Sequence, residues 1–174
     1  CPRTVPMRHI ISILLQNEAG ALTRVASLFS TRGYNIESLS VAPTEDPAFS
    51  RLTLMTVGSD AVIDQISKQL LKLVDVVSMA DMTRGDHIER ELLLLKARVP
   101  DAAWDKVSDL VAREGARVLD DSRATFTVEL TSTCGRVDEF VEKMGTLGSI
   151  LTVVRSGPMA IGRGAQVLAS PSSA

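Results

Sequence analysis

The sequence predicts an α+β protein of two ferredoxin-like βαββαβ domains in tandem. Three observations carry this. In the first half, runs rich in β-branched and apolar residues alternate with segments whose apolar residues recur at helical spacing, in the order β-α-β-β-α-β. The second half repeats that order of elements without repeating the residues. With 174 residues, 45% of them hydrophobic and 23% charged, the chain can build one medium core or two small ones.

Each element has a local signal. Arg8 to Leu15 is an almost unbroken apolar run, a strand expected to be covered on both faces. Asn17-Glu18-Ala19-Gly20 is turn chemistry and opens a helix with Leu22, Val25, Ala26 and Phe29 on one stripe. Gly33 suits the residue just past that helix. Ile36 to Val41 is a strand, Pro43 to Pro47 a turn, and Arg51 to Val57 a third strand. Ser59-Asp60 caps a second helix with Ile63, Ile66, Leu70, Leu73 and Val74 on one face, and Asp75 to Met82 is the fourth strand. After a short polar linker, Thr83 to Ile88, Glu91 to Val99 opens the second half. A helix starting at Pro100-Asp101 carries Trp104, Val107, Leu110 and Val111 and ends near Gly115. Arg117–Asp121 and Thr125–Leu130 pair across Ser122-Arg123. Val137, Phe140, Val141 and Met144 mark a helix closed near Gly145 or Gly148, and Ile150 to Val154 is the last strand.

The expected domains are residues 7–83 and 89–164. Cys1 to Pro6, which precede Met7, are expected to be an extension, and residues 165–174, ending in Ser170-Pro171-Ser172-Ser173, a loose tail. Units of about 75 residues bury little core for their size. Their bare sheet face and edge strands then need partners, which makes a homodimer through the first domains the default.

Composition narrows the function. Net charge is −2 with both signs dispersed, and aromatics are 3%, which argues against nucleic-acid binding. Cys1 and Cys134 make no disulfide framework and suit a reducing cytoplasm. No apolar run approaches a membrane span of about 18 residues. Convergent reactive groups are also missing. The sequence lacks His-Glu-x-x-His, Gly-x-Ser-x-Gly, a Walker lysine loop and Cys-x-x-Cys. His9 falls in a strand and His87 in the linker, without ligand spacing, so neither a metal nor a catalytic role is expected. Cys134, placed in a turn, reads as buried and inert. Asp120 and Asp121 are neighbours whose side chains diverge. Gly157 to Gly164 could cradle a phosphate only before a helix; none follows, so it reads as loop punctuation.

The positive signal lies at the first turn. Gly20 starts a helix, where backbone N–H groups lack partners and the dipole is positive, and it leaves room for a carboxylate. Asn17 offers both a donor and an acceptor to a zwitterion. Asn35 and Ile36, with Leu39 nearby, could complete the pocket across a dimer interface. The bland alternative is an ordinary turn and an ordinary helix exit.

Two runs give this pattern a sharper meaning: Ile11 to Val25, which contains Asn17-Glu18-Ala19-Gly20-Ala21-Leu22, and Leu28 to Leu39, which contains Arg32-Gly33-Tyr34-Asn35-Ile36-Glu37-Ser38. Together with Gln65 to Val76, Glu89 to Leu92 and Arg155-Ser156-Gly157, they make the chain resemble the regulatory (small) subunit of acetolactate synthase, also called acetohydroxyacid synthase. The resemblance spans about Met7 to Gly164. It implies an N-terminal ACT domain that binds a branched-chain amino acid, chiefly valine, at the interface of an ACT dimer. Asn17, Gly20, Ala21 and Leu22 are implied to contact the ligand from one protomer, and Asn35 and Ile36 from the other. It further implies a ferredoxin-like C-terminal domain, no cofactor in this chain, and a separate catalytic subunit carrying thiamine diphosphate, magnesium and FAD. That subunit is stimulated by the small one and made sensitive to valine. Gln16 and Ala19 depart from the acidic and Ser or Pro choices of relatives, and Ala97 to Thr133 matches less well.

Three rivals remain. An acylphosphatase-like enzyme needs an Arg in a phosphate-cradling turn, but Glu18 occupies this turn and the first Arg is Arg24. An RNA-binding module needs exposed aromatics on central strands, where this chain has Leu, Met and Thr. An ACT regulator of another biosynthetic enzyme differs only in its partner.

Overall fold

The computed structural model describes residues 7–122 and 124–168, and the chain divides into two compact units. The first comprises residues up to Ile88 together with those from Met159 onward; the second is Glu89–Pro158.

In the first unit, β1 (Met7–Gln16), α1 (Ala21–Thr31), β2 (Ile36–Pro43), β3 (Phe49–Gly58), α2 (Asp60–Leu70) and β4 (Val76–Asp81) follow the expected order. The antiparallel sheet is ordered β2-β3-β1-β4. Its helix side buries Ile11, Ile13, Leu15, Leu52 and Leu54 against Val25 and Phe29 of α1 and Ile63, Ile66 and Leu70 of α2. Burying each of these larger side chains contributes about 1.5–3 kcal/mol before entropy is counted. Ser59 caps α2 by accepting from the Val62 amide at 3.4 Å. His9, fully buried near the start of β1, ties its Nδ1 to the Asp81 carboxylate at 2.8 Å.

The second unit is built from β5 (His87–Arg98), α3 (Trp104–Glu114), β6 (Arg117–Ser122), β7 (Thr125–Ser132), α4 (Cys134–Leu147) and β8 (Ser149–Arg155), in sheet order β6-β7-β5-β8. Leu93, Leu95, Val128 and Leu130 face Val107, Leu110, Val137, Phe140 and Met144. Trp104 meets Phe126 edge-on, with ring centroids 5.2 Å apart. Helix α4 closes at Gly148, where a Cβ would lie 2.5 Å from the Arg98 carbonyl; Gly145 lies inside the helix.

Several boundaries differ from the sequence expectation. Met159–Gly162, read as loop punctuation and placed in the second domain, forms β9 and groups with the first unit. It pairs with β5, whose first two residues belong to the first unit, and the Arg163 amide donates to the Asp86 carbonyl at 3.1 Å. β9 lies against β1 and β3. Its return helps explain why β1 is buried on both faces: Ile10, Ser12 and Leu14 are buried on the side away from the helices. Arg51, on β3, donates to Ser12 Oγ at 3.2 Å and to the Leu168 carbonyl at 2.7 Å, so the segment expected to be loose is held as far as residue 168. Such pairings join residues from 39 to 117 positions apart, and no local pattern signals them. The linker expected at 83–88 instead contains a 3-10 turn, Met82–Arg84, and the start of β5. α2 ends at Leu70, which leaves Val74 84% exposed and off the apolar face. The helix expected from Pro100 begins with a 3-10 turn, Asp101–Ala103, and becomes α-helical at Trp104. Cys134 is the first residue of α4 rather than a turn residue. Cys1–Pro6 and residues 169–174 lie outside the described residues.

A buried ionic cluster braces the second unit. Glu91, 2% exposed, takes a two-pronged contact from Arg155: Nε to Oε1 at 2.7 Å and Nη2 to Oε2 at 2.8 Å. Arg155 also reaches Asp138 of α4 at 2.7 Å, and the Cys134 thiol donates to Glu91 at 3.1 Å. Burial pushes the Glu91 carboxyl up, but the hydrogen bonds from Arg155 and Cys134 outweigh it and leave it below the usual range. Burial, then the neighbouring carboxylate, pushes the Cys134 thiol up to about 12.

Two outcomes follow. Arg155→Ala leaves a buried carboxylate uncompensated and should cost about 3 kcal/mol at neutral pH, measured by urea unfolding. Because folding depresses the Glu91 pKa, the pair's contribution is complete above the unfolded carboxyl value of about 4.3 and is lost as pH falls through the lower folded value. The gap between wild type and variant should therefore close in acid. In a Cys1→Ser background, Cys134 should resist an aromatic disulfide reagent at mildly alkaline pH until the chain is unfolded.

Candidate functional site

The candidate site sits where β1 hands over to α1. β1 leaves the sheet with the Gln16 amide bonded to the Asp75 carbonyl and the Asn17 amide to the Ala48 carbonyl, each at 2.8 Å. The chain then turns through Gly20 at φ +85°, a left-handed conformation that favours glycine. A Cβ there would also lie 3.0 Å from Arg24 Nη1.

Gly20 occupies the N-cap position of α1 and supplies no side-chain cap, and the first turn holds no acidic residue. Ala21 donates back to the Glu18 carbonyl at 3.3 Å. Among the described residues the amides of Leu22 and Thr23 have no acceptor. α2 and α4, by contrast, are capped by Ser59 and Thr133. The start of α1 therefore presents open N–H donors and the positive end of the helix dipole, an arrangement that suits a carboxylate. Leu22, expected on the apolar stripe, is 40% exposed; Ala21, Val25 and Phe29 form the buried face, which leaves Leu22 as an apolar edge beside these donors.

Asn17 is partly engaged within the fold. Its Nδ2 donates to the Pro47 carbonyl at 3.0 Å, and its Oδ1 accepts from Ser50 Oγ at 3.1 Å, so it pins the β2–β3 turn beside the start of α1. One N–H and one lone pair of the amide remain for a ligand. Ser50 and the Pro47–Ala48 turn are long-range partners that the local sequence around Asn17 does not reveal.

Sequence reasoning passed over Arg24 and Asp75. One turn into α1, Arg24 reaches back to the Ala19 carbonyl at 3.4 Å and grips the buried Asp75 carboxylate through Nε and Nη2, the latter at 3.0 Å. The hydrogen bonds from Arg24 hold Asp75 below the usual carboxylate range. This pair sets the local charge: a half-exposed guanidinium beside the open amides, balanced from beneath by an acid. The spacing of Arg24 four residues after Gly20 was visible in the sequence; its pairing with Asp75, fifty-one residues away, was not.

Asn35 and Ile36 stand elsewhere. Asn35 is exposed, its carbonyl accepting from Thr56 Oγ1 at 2.7 Å, and Ile36 is half-buried at the start of β2. The register places them at the far end of the sheet. Ile36 and His9 both lie opposite Thr56, whereas Leu15 and Pro43 both lie opposite Ser50. Six residues of strand, about 20 Å, separate the two levels. Within one chain the structure brings Asn17, Gly20, Ala21 and Leu22 together and keeps Asn35 and Ile36 away from them.

Known proteins match along nearly the whole chain. Residues 11–78 match the family model described as AHAS small subunit-like ACT domain, and residues 90–164 the one described as small subunit of acetolactate synthase. The acetolactate synthase isozyme 3 small subunit of Escherichia coli K12 is 44% identical over 162 residues, covering 93% of this chain and 99% of the relative. The acetolactate synthase small subunit of Buchnera aphidicola subsp. Schizaphis graminum is 42% identical over 91% of this chain and its own entire length. The crystal structure of the acetolactate synthase small subunit from Thermotoga maritima superposes with a TM-score of 0.77 at 33% identity, covering 91% of this chain and 98% of that one. With both halves matched and relatives aligned end to end, the chain belongs to the family of acetolactate synthase small subunits, its first unit an ACT domain.

Proposed function

We propose that this chain is a non-catalytic regulatory subunit of acetolactate synthase, acting in the cytoplasm in branched-chain amino-acid biosynthesis. It activates a separate catalytic chain, which holds thiamine diphosphate, magnesium and FAD, and it makes that chain sensitive to valine. The single observation that carries the ligand claim is the open start of α1: an uncapped helix whose turn is made by a left-handed glycine and whose amides wait for an acceptor. A free amino acid would set its carboxylate on those amides. Asn17 would contribute its spare donor or acceptor, and Leu22 would flank the side chain.

The pocket is completed by a second copy. β2 is an edge strand with Leu39 and Val41 about two-fifths exposed. Pairing two β2 edges antiparallel about a dyad would lay the start of one beside the end of the other. Asn35 and Ile36 of one protomer would then approach the Gly20 turn of its partner, which closes the 20 Å gap that a single chain leaves. In this scheme the free homodimer favours the arrangement that activates the catalytic chain, and valine favours another. A coupling of about 1–3 kcal/mol suffices for such an effect.

Calorimetric titration of the chain with valine should give saturable heat and a rise in melting temperature; no signal at millimolar valine would end the ligand claim. Gly20→Asp should abolish that binding, because its carboxylate would claim the open amides and Arg24 and would repel the ligand. Mixing tests the shared site. Gly20→Asp and Asn35→Ala chains should each fail to bind alone. Their refolded mixture should recover about a quarter of the wild-type sites, since a mixed dimer rebuilds one intact pocket; no recovery would place both halves in one protomer. Added to the catalytic subunit, the wild-type chain should raise acetolactate formation, and valine should reverse the gain.

A further inference from the structure

A second surface of the first unit has chemistry that the amino-acid site does not use. Between the end of α1 and the outward side of α2 lies an open groove of about 500 Å3, lined by Arg32, Lys68 and Lys72, with Gln65, Gln69 and Leu71 among them. Leu28 and Tyr34 line a small adjoining hollow that shares Arg32, Gln65 and Gln69 with the groove, and the Tyr34 hydroxyl donates to Gln65 at 3.5 Å. Leu71 is 57% exposed. Several other cations of the fold are paired, among them Arg24 with Asp75, Arg84 with Asp64, Arg117 with Glu129 and Arg155 with Glu91. Among the described residues, the side chains of Arg32, Lys68 and Lys72 form no ion pair or hydrogen bond. Helix dipoles favour a cation at a helix C-terminus; here Arg32, just past α1, and Lys68 and Lys72, in and just past the last turn of α2, converge on one cavity.

We propose that this groove docks an acidic, amphipathic segment of the catalytic chain, its carboxylates meeting the three cations and its apolar side chains resting on Leu28, Tyr34 and Leu71. Charge complementarity selects an acidic partner. Exposed Leu71, the adjoining Leu28 and Tyr34, and the openness of the groove favour a side-chain-bearing segment over a small anion, which would need a closed nest of donors. The placement also offers a route for regulation, because Arg32 and Tyr34 lie three residues and one residue before Asn35 in the chain.

This inference rests on the proposed role as a regulatory subunit, and the test separates the two. Arg32→Gln, Lys68→Gln and Lys72→Gln are combined in the full chain, which is titrated into the catalytic subunit at low and high ionic strength. Unchanged thermal unfolding of the variant confirms its fold. The wild-type chain should stimulate strongly at low salt and more weakly at high salt. The variant should need on the order of tenfold more chain for half-maximal stimulation and should lose the salt dependence. Equal stimulation by variant and wild type at both salt levels overturns the docking inference and leaves the regulatory role intact, whereas no stimulation by the wild type overturns that role itself. If the variant changes the homodimer mass in sedimentation, the groove belongs to a second copy of this chain and the inference is also overturned.

Discussion

β1 and β2 run parallel, each antiparallel to β3 between them, and this arrangement governs the rest of the first unit. A chain that leaves β1 at one end of the sheet must cross it through α1 and re-enter β2 at the other end. The two polar signals flanking that helix, Asn17 to Gly20 before it and Asn35 after it, are thereby driven apart by the length of a strand. The topology that makes a compact βαβ unit is also the one that prevents a single chain from closing the proposed pocket. Under the proposed function, pairing of the exposed β2 edges would make dimerisation a condition of ligand recognition rather than an accessory to it.

The electrostatics at the start of α1 follow from the same handover. Gly20 takes a left-handed conformation, which puts no side chain over the first amides, and no acid stands in the first turn to neutralise the dipole. Arg24 strengthens the positive potential, while Asp75, at the start of the segment leading into β4, tempers it. α2 and α4 show the ordinary solution, a hydroxyl cap that satisfies one amide from within the chain. Having glycine rather than a hydroxyl or amide cap at the start of α1 forgoes about a few tenths of a kcal/mol of helix stability. A bound carboxylate would restore it, and in the proposed role ligand binding would thereby be coupled to local order.

Small βαββαβ units are marginal, and each of the two here is braced by long-range contacts. In the first, β9 and the following residues return to the helix-free side, so that β1 is buried on both faces. In the second, the Glu91–Arg155 pair links β5 to β8 and, through Asp138 and Cys134, to α4. The thiol is held protonated by burial and by the carboxylate beside it, which suits a structural role.

The sequence by itself determined the order of elements up to β8, the apolar stripes of the helices apart from Leu22 and Val74, and the turn residues Gly20, Gly33 and Gly115, because each depends on neighbours a few positions away. It also carried the family resemblance, and with it the candidate residues on both sides of α1. Only the tertiary structure decided which of those residues share a place. It put Asn35 at the far end of the sheet from Gly20, turned the Asn17 amide toward Pro47 and Ser50, and joined Arg24 to Asp75. It also sent residues 159–168 back to the first unit rather than leaving them in the second domain and tail. The reason is physical: periodicity and capping are local, whereas a buried ion pair, a returning strand and a register are settled by partners tens of residues away, chosen by the packing of the whole sheet.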